Sequence, residues 1–210
     1  MNFMKLYTTN VLVNPISITG GDMVVHWDDW KLCHGTYNSG GGTGPQATTL
    51  PATADTYAFG EATTTNYGTA TVLGAKDDGT TSVAFDRIAY IKFDLSALTF
   101  TPTTATLILA ADATTQAGTV TVNQCATDSW TETGLTWTNK PASGATIGSA
   151  SVTAGDTTDK MINVSSYVNA QYTGDATKIV TFVLTGNNAQ LYFKSREAGA
   201  GNGPKLFVSN

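Results

Sequence analysis

The chain has 210 residues, of which 13% are charged, and its 16 Asp and Glu outnumber 11 Lys and Arg for a net charge of −5. No long basic run is present to displace phosphate counterions, which argues against nucleic-acid binding, and no apolar run approaches the roughly 18 residues that span a bilayer. Thr is the commonest residue, Gly numbers 21 and Pro only 6, and helix-building blocks of Ala, Leu, Glu and Lys are absent, so the expected class is all-β.

Met1-Asn2-Phe3-Met4-Lys5 has no charged segment leading into an apolar stretch with a small-residue cleavage site, so no signal peptide is expected. An apolar and aromatic stretch follows: Leu6, Val11, Leu12, Val13, Ile16 and Ile18, then Met23-Val24-Val25-His26-Trp27-Asp28-Asp29-Trp30. The Gly-rich run 35–45 cuts it off, as a flexible linker or an extended crossover would. So short an apolar segment cannot bury itself alone. Residues 1–45 are therefore expected to be an extended N-terminal arm that docks on other protein subunits through Val11, Val13, Trp27 and Trp30. His26, Cys33 and His34 are metal-ligand types, but no second Cys-x-x-Cys or His-x-x-x-His completes four ligands, and no metal is expected there. The two cysteines, Cys33 and Cys125, either form one bridge or stay as buried free thiols, the second being the preferred reading.

From Ala54 onward, short strand candidates recur at sandwich-like spacing: 55–59, 71–75, 88–95, 105–110, 119–124, 136–137 with its flanks, 160–164, 179–184, 190–194 and 205–208. Asp77-Asp78-Gly79, Thr173-Gly174-Asp175, Gly186-Asn187-Asn188 and Gly201-Asn202-Gly203-Pro204 read as turns. A single helical turn is expected at 164–170, capped by Ser165 or Ser166. Two strands alternate clearly. Ala89, Ile91 and Phe93 share one face, with Tyr90 and Lys92 on the other; Leu191 and Phe193 oppose Tyr192, Lys194 and Arg196.

Several motifs occur in a fixed order: Ala54-Asp55-Thr56-Tyr57, Asn66-Tyr67-Gly68, Arg87 with Tyr90-Ile91-Lys92-Phe93-Asp94-Leu95, and Ser129-Trp130-Thr131-Glu132. They continue with Leu135-Thr136-Trp137-Thr138-Asn139-Lys140-Pro141, Val164-Ser165-Ser166-Tyr167-Val168, Phe193-Lys194-Ser195-Arg196-Glu197 and Pro204-Lys205-Leu206. In these residues the stretch 50–208 resembles the DNRLRE-type domain, grouped as carbohydrate-binding module family 96. The resemblance implies a jelly-roll β-sandwich, a non-catalytic module found mostly on extracellular proteins, and alginate as one ligand of the family.

If the two alternating strands are neighbours in one sheet, Tyr90, Lys92, Tyr192, Lys194 and Arg196 form a glycan-binding face. Tyrosine rings stack on sugar faces, while Lys and Arg pair with uronate carboxylates. Trp130 and Trp137 are expected to be structural, closing one end of the sandwich. Asp55, Asp86 and Glu197 sit at strand ends, where they either pair with Arg87 and Arg196 or ligate a structural Ca²⁺. Ion pairing is the preferred reading, so no cofactor is expected. Gly-x-Ser-x-Gly, His-Glu-x-x-His, a phosphate loop and a dinucleotide fingerprint are all missing, so no enzyme is expected. The reading is a non-catalytic, surface-exposed jelly-roll subunit at 46–210, carried by a larger extracellular particle such as a phage virion, with glycan adhesion on its outer face. The alternative is a free-standing module for an acidic polysaccharide such as alginate, drawn from a secreted polysaccharide-degrading enzyme.

Overall fold

A computed structural model describes residues 44–79, 82–125, 127–187 and 189–210. Val11, Val13, His26, Trp27, Trp30, Cys33 and His34 lie outside them. The described chain forms β1 (Ala47–Pro51), β2 (Ala54–Phe59), β3 (Val72–Ala75), β4 (Arg87–Asp94), β5 (Thr104–Ala110) and β6 (Gly118–Cys125). It continues through β7 (Ser143–Val152), β8 (Asp159–Asn163), α1 (Ser165–Gly174), β9 (Ile179–Gly186), β10 (Leu191–Lys194), a 3-10 turn at Arg196–Ala198 and β11 (Lys205–Ser209).

All the strand pairs are antiparallel. One sheet has the order β1-β11-β5-β8, and a second has the order β2-β4-β9-β6-β7. The first strand lies beside the last, and β5 and β8 share a sheet while β6, β7 and β9 build the other. That alternation between two layers is the winding of a jelly roll, with β2 added as an edge beside β4. The short pair β10-β3 forms a third sheet. Isolated bridges Lys76–Arg87 and Ala111–Phe193 stitch it to both large ones.

The core follows from the period of two. Ala89, Ile91 and Phe93 of β4, Leu107 and Leu109 of β5, Phe182 and Leu184 of β9, and Leu191 and Phe193 of β10 are all completely buried between the layers. Phe182 holds Phe93 and Tyr167 edge-on, with ring centroids 5.9 and 5.7 Å away. Helix α1 packs on β5 and β9 and so spans both sheets, burying Tyr167 and Val168. It runs longer than the expected turn. Its N-cap position is Val164, whose apolar side chain cannot cap, and the expected cap Ser165 is the first helical residue, its hydroxyl accepting from the Ala105 N–H at 2.9 Å.

A second apolar cluster lies on the outer face of the five-stranded sheet. There Tyr90, Ala58 and Val183 are buried beneath Trp130 and Leu135 of the 127–142 connection. Residues 136–137, expected as a strand, belong to this connection: the Asn139 side chain accepts from the Thr136 N–H at 2.7 Å and bends the chain back. Cys125 is a buried free thiol that donates to the Thr127 carbonyl at 3.3 Å. No described helix is long and apolar enough to cross a membrane.

Candidate functional site

The five residues expected to share one outward face are not assembled into one. β4 and β10 belong to different sheets, which removes the premise. Tyr90 points away from the core as its alternation requires, yet it is fully buried, and its hydroxyl donates to the Pro141 carbonyl at 2.5 Å. The Lys92 ammonium donates to the carbonyls of Asp128 and Trp130, both at 2.7 Å, and lies 4.4 Å from the centre of the Trp130 ring. Desolvation holds its pKa below the usual lysine value. The reason for the correction is simple: the 127–142 connection folds back over this face and uses both residues as its anchors.

Trp130 completes that anchorage. Its indole N–H donates to the Thr181 hydroxyl at 3.2 Å, and Thr181 in turn donates to Asp128 at 2.6 Å. The structural role expected for Trp130 therefore stands, although it covers a sheet face instead of closing an end. Trp137 is half-buried, with the Lys140 ammonium 3.6 Å from its ring centre.

Tyr192 and Lys194 do share a solvent-facing side, on β10, and their neighbours there were not foreseen. Residue 192 pairs with Gly74 of β3. A Cβ at Gly74 would stand 2.7 Å from Arg87 Cδ and 3.5 Å from the Tyr192 ring, so the missing side chain is what lets these two groups lie across the strand. Arg87 places its guanidinium 4.1 Å from the Phe59 ring centre and donates to the Phe85 carbonyl at 3.4 Å. Tyr57 stacks on Tyr67, with centroids 4.4 Å apart and planes 21° from parallel, and Phe59 meets Tyr67 edge-on at 6.5 Å. Phe85 is 53% exposed, with the Lys76 ammonium 5.6 Å from its ring centre.

Tyr57, Phe59, Tyr67, Phe85, Arg87 and Tyr192 thus make one continuous rim where the edge of the five-stranded sheet meets the β10-β3 pair. Burial, then the neighbouring Tyr67, pushes the Tyr57 hydroxyl up to about 12, so it stays a hydrogen-bond donor throughout the physiological range. Arg87 has no carboxylate within ion-pairing distance among the described residues. Its guanidinium rests against the Phe59 ring and, among the described residues, engages only the Phe85 carbonyl, an arrangement suited to an anionic ligand. The sequence did carry a signal for this rim: Tyr57, Tyr67 and Arg87 all sit inside the motifs quoted above.

Arg196, the last of the five, is turned toward a different group. It pairs with Glu132 at 2.9 and 3.2 Å, an acid the sequence had not nominated as its partner. Glu132 also accepts the Asp55 backbone N–H at 2.9 Å, and Asp55 Oδ2 accepts the Arg196 N–H at 3.0 Å. Asp55, Glu132 and Glu197 each bring a carboxylate oxygen within 4.8 Å of the others. Asp86 stands apart from them, beside Asp77 and Asp78, and accepts the Asp78 N–H at 3.0 Å. Among the described residues, clefts of about 320 and 450 Å³ lie beside the 127–142 connection, the first walled by Thr, Ser and Asn with Trp130, and one of about 260 Å³ has Arg196 in its wall; neither of the last two contains an aromatic residue.

A jelly roll with a half-exposed aromatic and cationic rim defines a binding module whose surface is suited to flat, polar ligands. The chain belongs to carbohydrate-binding module family 96, whose model matches residues 46–210. No curated protein matches the chain.

Proposed function

We propose that this module binds an acidic, uronate-type polysaccharide such as alginate along the β2–β3–β10 rim, without turning it over. The observation that supports this most strongly is Arg87, stacked 4.1 Å from Phe59 with no carboxylate partner among the described residues. Tyr57, Tyr67, Phe85 and Tyr192 supply ring faces for pyranose stacking, and Lys76 and Lys194 add positive charge at either side. A charge-assisted hydrogen bond of about 1.5–3 kcal/mol corresponds to roughly a tenfold to hundredfold contribution to affinity. Calorimetric titration with alginate oligosaccharides should therefore show at least a tenfold loss in Arg87→Ala, together with weakening at high salt. Equal affinity in the variant and the parent would reject this surface. Such a ligand implies an extracellular place of action.

The apolar stretch 6–30 ahead of the Gly-rich run supports a second proposal. In it the chain is a subunit of a larger particle, such as a phage virion, tethered through Val11, Val13, Trp27 and Trp30. Assembly that survives deletion of residues 1–45 would count against it.

A further inference from the structure

The carboxylate group at Asp55, Glu132 and Glu197 is built from three separate parts of the fold. Asp55 lies on the edge strand β2, Glu132 on the 127–142 connection, and Glu197 in the 3-10 turn after β10. An acidic cluster alone signifies little, but this one contains an anomaly. Asp55 is 1% exposed, and its Oδ1 is buried with no hydrogen-bond partner, while its Oδ2 already accepts the Arg196 N–H. A buried carboxylate oxygen left without a donor or a cation is costly.

The neighbouring charges do not supply what is missing. Three carboxylates face a single guanidinium, and Arg196 spends it on Glu132. Burial, reinforced by Glu197 and Glu132, pushes the Asp55 carboxyl up to about 7 despite the Arg196 N–H that pulls it down. What would satisfy all three acids together is a hard cation, since the donors are oxygen only and among the described residues no nitrogen or sulfur ligand accompanies them.

We propose that Asp55, Glu132 and Glu197 form a structural Ca²⁺ site, with Asp55 Oδ1 as its buried ligand. Ca²⁺ tolerates irregular sets of six to eight oxygens, whereas Mg²⁺ demands near-ideal octahedral geometry. The ion would lock together segments that are already interdependent. The Asn66 amide donates to the carbonyls of Glu132 and Leu135 at 2.7 and 2.8 Å, and at Gly68 a Cβ would fall 2.3 Å from the Glu132 carbonyl oxygen. Tyr67 lies between these two residues, so the cation site braces the loop that carries one ring of the rim. The Ca²⁺ proposal stands independently of the identity of the ligand bound there.

The test uses the full chain stripped with a chelator and then dialysed. Titration with CaCl₂ should release or absorb heat with one ion bound per chain. Saturation at about a hundredfold over the dissociation constant should raise the melting temperature by about 5 °C or more. Glu197→Gln, at an exposed position where folding is not at risk, should abolish both responses, and Asp55→Asn should abolish them too. No heat and an unchanged melting temperature would overturn the proposal. An equal response to MgCl₂ would overturn the choice of ion, and an undiminished response in Glu197→Gln would overturn the site.

Discussion

Two places in this molecule set tyrosine beside a basic side chain, and they have opposite fates. On β4, Tyr90 and Lys92 are covered by the 127–142 connection; the Tyr90 hydroxyl is bonded to Pro141 and the Lys92 ammonium to Asp128 and Trp130. On the β2–β3–β10 rim, Arg87 rests on Phe59 with Tyr57 and Tyr192 nearby and Tyr67 stacked on Tyr57, and its charge has no acidic counterpart among the described residues. The residue types are alike, so type does not separate structure from function. Satisfaction does: a cation tied to two buried carbonyls holds a loop in place, while one resting on an aromatic ring near solvent is free to receive an anion.

The largest effect that would sharpen this contrast is expected from Trp130→Ala. Losing a buried indole costs about 3–5 kcal/mol, and it strips the Thr181–Asp128 pair and Lys92 of their cover. Guanidinium unfolding should show that loss, whereas Arg87→Ala should unfold close to the parent midpoint. A large loss of stability in Arg87→Ala would blur the division between the two places. A smaller effect is expected from Gly74→Ala. Its Cβ would push Arg87 Cδ aside, yet Gly74 is not among the positive-φ glycines, so the backbone accommodates the change. Glycan affinity should fall several-fold with stability nearly unchanged; unaltered affinity would show that the position of Arg87 across β3 is irrelevant to binding.

The sandwich was legible wherever alternation met burial on both sides of a strand. Ala89, Ile91 and Phe93, and likewise Leu191 and Phe193, were read as the apolar faces of their strands and are completely buried. The edge strands β2 and β8 were also read, but two other edges were not. β1 and β7 were both missed: each lies at the margin of its sheet, and most positions of β7, Ser-Gly-Ala-Thr-Ile-Gly-Ser-Ala-Ser-Val, are exposed or half-exposed. A strand that buries little carries little hydrophobic pattern.

The site was harder to read for a related reason. Alternation tells which way Tyr90 and Lys92 point; it does not say that a segment some forty positions later folds back over them. Likewise Glu132 and Arg196 are 64 residues apart, and nothing local pairs them. The rim residues Tyr57, Tyr67 and Arg87 were visible as motif positions, but their convergence depends on the β10-β3 pair and on the absence of a side chain at Gly74.

The most direct measurement is a side-by-side calorimetric titration of alginate oligosaccharide into Arg87→Ala and Lys92→Met. The methionine keeps the stem of Lys92 against Trp130 and removes only its charge. The account predicts at least a tenfold loss of affinity in Arg87→Ala at near-parent stability, and parental affinity in Lys92→Met with stability lowered by about 1–3 kcal/mol. Affinity lost in Lys92→Met and kept in Arg87→Ala would contradict it.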